Sequence, residues 1–93
     1  MRMFKWAPHP NGPKGCPDTA RIIAFILAHE GEFVVEELEN DSPEVEELRQ
    51  VASLGDKAPM LVVFDTDDNI VVKGWVEPSD AALDEAHALV LAG

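Results

Sequence analysis

Ninety-three residues, 46% of them hydrophobic and 27% charged, describe one folded domain (1–93) with a modest core and no room for a second unit. A formal net charge of −11 excludes a phosphate-backbone grip on nucleic acid, which needs a basic face. The longest apolar run, Ile22 to Ala28, falls short of the roughly 20 residues of a membrane span, and Met1 to Trp6 lacks a signal-peptide pattern, so a cytoplasmic location is expected.

Met3 to Trp6 reads as a first strand. Ala7 to Gly15, with Pro8, Pro10 and Pro13, reads as a loop. Pro17 fits the first turn of a helix, where its missing N–H is no loss. Apolar Ala20, Ile22, Ile23, Phe25, Ile26 and Leu27 cover more than half of that helix's circumference, so another helix or a partner chain is expected on its second side. Gly31 ends it, and Phe33 to Leu38 reads as the second strand. Asn40-Asp41-Ser42-Pro43-Glu44 opens a second helix, with Val45, Leu48, Val51, Ala52 and Leu54 as its apolar face and Gly55 as its stop. Met60 to Phe64 is a buried-strand run, Asp65 to Asn69 a turn, and Ile70 to Trp75 the returning strand. Pro78-Ser79-Asp80 starts the last helix. The expected order is β-α-β-α-β-β-α: an α/β fold with a four-stranded mixed sheet and three flanking helices. Parallel crossovers are expected where helices separate strands, and an antiparallel edge from the hairpin.

Cys16 is the only cysteine, so an internal disulfide is impossible and disulfide chemistry would involve a second molecule. It stands directly before the helix that Pro17 opens. There it would face unpaired backbone N–H groups and the positive end of the helix dipole, both of which favour the thiolate, the nucleophilic form. Residues 1–30 are also the one basic part of the chain: Arg2, Lys5, Lys14 and Arg21 stand against Asp18 and Glu30, while sixteen acids crowd the remainder. Asp18, two residues after Cys16, opposes the thiolate but suits the helix dipole.

This element order, with Cys16 heading the first helix and Ala58-Pro59-Met60 opening the third strand, resembles the thioredoxin superfamily. The short spacing from Cys16 to Phe33 is most similar to glutaredoxins. Cys16-Pro17-Asp18-Thr19 looks like the glutaredoxin Cys-Pro-x-Cys with threonine in place of the second cysteine, and Pro59, 43 residues after Cys16, matches the family's cis proline. Gly74 to Asp80 loosely resembles the segment that holds the γ-glutamyl end of glutathione. The resemblance spans the whole chain and implies a single-cysteine thiol–disulfide oxidoreductase. No bound cofactor is expected; glutathione or a similar small thiol would be the co-substrate, and a small thiol or a protein mixed disulfide the partner.

On that resemblance Cys16 is the nucleophile and Thr19 a hydrogen-bond donor to its thiolate. Ala58 and Pro59 would hold the incoming thiol compound, Lys14 and Lys57 would meet its carboxylates, and Ser79 and Asp80 its α-carboxylate and amine. The chain departs from the family in lacking a resolving cysteine, in carrying Asp18 where an aromatic is common, and in its longer proline-rich loop. Monothiol relatives that hold an iron–sulfur cluster carry Cys-Gly-Phe-Ser, a motif absent here. The alternative is a non-catalytic binding module of the same fold, with the broad apolar helix face serving a homodimer or other partner.

No metal site is expected. Asp65-Thr66-Asp67-Asp68-Asn69 imitates the start of an EF-hand loop, but Ile70 and Val76 stand where that loop needs glycine and glutamate. His9, His29 and His87 are scattered over a loop and two helices, and the glutamates between 36 and 47 read as a solvated acidic surface.

Overall fold

The computed structural model describes residues 1–93 and contains one four-stranded mixed sheet with four helices. In chain order the elements are β1 (Arg2–Ala7), α1 (Gly12–Gly15), α2 (Pro17–Ala28), β2 (Val35–Glu37), α3 (Pro43–Val51), β3 (Met60–Asp65), β4 (Ile70–Val76) and α4 (Asp80–Leu91). The strands lie in the order β2-β1-β3-β4. β1 runs parallel to β2, with Phe4 opposite Val35, and antiparallel to β3, with Ala7 opposite Met60. β3 and β4 form an antiparallel hairpin with an irregularity between Val63 and Phe64. No helix is long and apolar enough to cross a membrane.

The parallel crossover expected from the sequence is confined to β1-α2-β2. After α3 the chain does not continue in parallel; residues 52–59 bring it back to the sheet end where β2 stops, and β3 starts there against Ala7. This reversal gathers three things at one end of the sheet: the exit from β1, the start of α2 and the entry to β3. That convergence positions the site described below.

Strand alternation divides the core between the two sheet faces. Phe4, Trp6, Leu61 and Val63 pack with Ile22 of α2 and with Leu83, Ala86 and Val90 of α4. Ala7, Met60 and Val62 pack on the other face with Val45 and Leu48 of α3. Phe4 is fully buried and meets Phe25 and Phe33 edge-on, at ring centroids of 5.9 and 4.7 Å. Burying such a side chain contributes roughly 1.5–3 kcal/mol. α4 thus supplies the second cover expected for the apolar helix, although Leu27 stays 61% exposed.

Lys5 lies on the α3 side of the sheet, its Nζ 2.7 Å from Glu44, 3.6 Å from Glu36 and 4.4 Å above the Phe64 ring. Burial works against its charge, but the hydrogen bond and charge of Glu44, joined by Glu36, outweigh that and raise its pKa.

Three local features differ from the sequence reading. The proline-rich segment is not all loop: it contains the single turn α1, entered through Gly12 at a left-handed φ of 69° and supported by Pro13. The structure therefore has four helices rather than three. β2 is shorter than Phe33 to Leu38, although the flanking Val34 carbonyl and Leu38 N–H still bond to β1. α3 stops before Gly55 because Ser53 adopts φ 56°, with Ser53 N–H bonded to the Gln50 carbonyl and Leu54 N–H to the Arg49 carbonyl. That pair of bonds is a Schellman closure built on serine instead of glycine.

Candidate functional site

Cys16 is the N-cap residue of α2, in extended conformation, with its carbonyl accepting the Ala20 N–H at 3.2 Å. Its side chain makes no capping hydrogen bond. The N–H groups of the first turn therefore find no acceptor in the cap residue's side chain. Only 8% of the residue is exposed, yet it lines an open depression of about 590 Å³ shared with His9, Asp18, Lys57, Ala58 and Glu77.

The far wall is the segment that enters β3. Its Ala58–Pro59 peptide bond is cis, Pro59 is buried, and the Pro59 carbonyl accepts the Glu77 N–H at 2.8 Å. Glu77 reaches that bond in a left-handed conformation, φ 48°, which a side-chain-bearing residue adopts rarely. Arg49 fixes the same segment from behind. Its guanidinium, 7% exposed, donates to the carbonyls of Gly55 (2.7 Å) and Lys57 (2.6 Å) and to Asn40 Oδ1 (2.9 Å). No carboxylate pairs with it, so this buried cation is satisfied by neutral oxygens.

Of the residues expected at the site, Cys16, Lys57 and Ala58 line the depression together, while Pro59, next in the chain, is buried and does not line it. Lys57 is well exposed and stands 3.7 Å from Glu77. Lys14 sits on α1, exposed, and does not line the depression. Thr19 is fully buried and forms no hydrogen bond to Cys16; its hydroxyl accepts the His9 N–H at 3.1 Å and pins the proline-rich segment to α2. Ser79 caps α4 by accepting the Ala82 N–H at 3.2 Å, and it too lies outside the depression.

Asp80, almost fully exposed, lies 3.5 Å from Arg21 Nε. Arg21 also binds Asp18 and donates to the Pro78 carbonyl at 3.1 Å, so one guanidinium ties the head of α2 to the head of α4. Asp18 is therefore ion-paired rather than an uncompensated charge beside Cys16.

Sequence reasoning passed over Arg49, Glu77 and a histidine pair. Arg49 had a signal: with Val45, Leu48 and Ala52 it falls at i, i+3, i+4 and i+7 spacing, on the apolar stripe of its helix. Glu77 had none beyond its place after a strand. His29 and His87 are not scattered; their rings lie 4.2 Å apart at the opposite end of α2 from Cys16, with Glu32 between them. Matched against family models, curated proteins and solved structures, the chain resembles none of them closely enough to register a match.

Proposed function

We propose that this chain is a thioredoxin-like, glutaredoxin-like domain that carries out thiol–disulfide exchange through Cys16 alone, with glutathione or another small thiol completing the cycle. One observation carries the reading: Cys16, at the head of α2, shares a depression with the Lys57–Ala58 backbone leading to Pro59. The sheet order β2-β1-β3-β4, with β1 parallel to β2 and antiparallel to β3, supports it.

In the proposed cycle the Cys16 thiolate attacks one sulfur of a glutathionylated disulfide. A Cys16–glutathione disulfide forms, the old S–S bond breaks, and the other sulfur leaves as a thiolate. A second glutathione thiolate then attacks the mixed disulfide, giving oxidised glutathione and free Cys16. The α2 amides receive the negative sulfur, and Ala58 offers backbone N–H and C=O groups to the incoming chain. Lys57 is the cation of the rim and suits a carboxylate of the tripeptide. Thr19 serves the cycle indirectly, by holding the segment that forms one wall.

The test is glutathione-dependent reduction of a glutathionylated peptide, coupled to glutathione reductase. Turnover that disappears in Cys16→Ser supports the reading. Absence of turnover in the intact protein leaves the second reading, a non-catalytic binding module. That reading is favoured by the near-complete cover of Cys16 and by the exposed Leu27, which continues an apolar strip with Ile23 and Ile26 beside β2.

A further inference from the structure

His29 is the C-cap of α2, Glu32 lies in the turn after Gly31, and His87 stands in the middle of α4. The fold brings His87, 55 residues from Glu32, against the local His29–Glu32 pair to make one cluster. Glu32 accepts a hydrogen bond from His29 Nδ1 at 2.8 Å through one carboxylate oxygen and from His87 Nε2 at 2.8 Å through the other. The three potential ligand atoms all lie within 4.8 Å of one another. The aromatic wall of Phe25 and Phe33 backs both imidazoles: Phe25 is 4.9 Å from His29, and Phe33 is 5.9 Å from His87, centroid to centroid.

We propose that His29, Glu32 and His87 form a binding site for one divalent transition-metal ion of the zinc class. Two imidazoles and a carboxylate converging from two chain segments, the end of α2 with its following turn and the middle of α4, are the donor set of a three-ligand zinc site whose fourth position is open to water. Imidazole donors favour zinc, copper and nickel over magnesium or calcium, which take oxygen ligands. With metal–ligand bonds of about 2.0–2.1 Å, tetrahedral donors stand a little over 3 Å apart, so the ion needs only a small opening of the present contacts. His29 Nε2 and His87 Nδ1 make no hydrogen bond within the protein, so each ring can move its N–H to that outer nitrogen and free the inner one for the metal. The aromatic wall limits ring rotation and excludes water from one side, as the apolar shell of a metal site does. The strongly negative chain raises the local concentration of any cation.

The ion would join the end of α2 to α4. The cluster lies about 20 Å along the helix from Cys16, by the rise of 1.5 Å per residue, so it is separate from the thiol depression. Its test is correspondingly independent of any activity at Cys16.

The experiment is titration of the Cys16→Ser protein with zinc chloride by calorimetry, with cobalt(II) absorption as a second readout; removing the thiol eliminates the competing sulfur ligand. One zinc per chain at micromolar metal is expected, together with the visible bands of a four-coordinate cobalt site. His87→Ala and His29→Ala should each weaken binding by at least about tenfold, since even outer partners of metal ligands are worth 10–100-fold. His9→Ala should leave binding unchanged, and magnesium should not bind. All three histidine variants change half-buried side chains, and circular dichroism checks that they fold. Zinc affinity weaker than millimolar, or affinity unchanged in His29→Ala and His87→Ala, would overturn the proposal. So would cobalt spectra showing only a six-coordinate aquo-like ion, even in the protein with native Glu32, His29 and His87.

Discussion

Arg49 holds the Lys57 carbonyl at 2.6 Å, and through it the chain that turns into β3 opposite Cys16. The bond joins a helix on one sheet face to a segment at the sheet's end. Because the same guanidinium also serves Gly55 and Asn40, its loss strands three acceptors at once. Arg49→Ala should destabilise the fold by about 2–3 kcal/mol, the cost of losing charge-assisted hydrogen bonds from a buried guanidinium to three part-buried acceptors. Arg49→Lys should recover only part of this, because an ammonium cannot reproduce the planar fork. Urea denaturation of the three proteins measures both effects.

Thr19 makes a more local prediction. Thr19→Val keeps the buried volume but removes the acceptor for the His9 N–H. A loss of about 1–2 kcal/mol is expected, with faster hydrogen exchange at the His9 amide as the specific sign. Thr19→Ser restores the acceptor and should restore amide protection.

Acid should act through Glu32. Its carboxyl is held below the usual value of 4.5 by hydrogen bonds from His87 and then His29, against a smaller opposing effect of burial. A carboxyl with a depressed folded-state pKa stabilises the protein above its unfolded-state value, and that contribution disappears as pH falls through the folded-state value. Denaturation midpoints of the native protein should therefore fall as pH drops below about 4.5 more steeply than those of Glu32→Gln. Carbon-detected NMR titration of the Glu32 carboxyl should give a midpoint below 4.5.

Gly74 is a packing requirement. A Cβ there would stand 2.9 Å from Val62 Cγ1 and 3.1 Å from both Ala52 Cβ and Leu54 Cδ1. β4 thus lies close under the segment that returns from α3 to β3. Gly74→Ala should cost roughly 1–3 kcal/mol by overpacking, visible as a lowered thermal midpoint.

The order of strands and helices was legible because apolar periodicity is a local signal: Met60 to Val63 and the Val45–Leu48–Ala52 stripe each announce their element. Sheet direction was less so. Nothing local distinguishes a chain that continues in parallel after α3 from one that doubles back, as residues 52–59 do; only the tertiary pairing of Ala7 with Met60 settles it. At the site, the juxtaposition of Cys16 with Ala58 and Pro59 was an implication of the family resemblance; element order read alone expected a parallel crossover, which would have opened β3 at the other end of the sheet. The hydrogen-bond partners were not legible. Thr19 faces His9 because the proline-rich segment folds back onto α2, whereas Arg21 meets Asp18 one turn away on its own helix and Pro78 where the heads of α2 and α4 converge. His29 and His87, 58 residues apart, meet only because α2 and α4 share a sheet face.

The central claim is that the sulfur at the head of α2 reacts. Timed alkylation of Cys16 by iodoacetamide at neutral pH, quantified by mass spectrometry against free glutathione under the same conditions, measures this most directly. The account predicts modification of the folded protein at least about tenfold faster than the free tripeptide, with the advantage lost in urea. A folded-state rate equal to or slower than that of glutathione would contradict it.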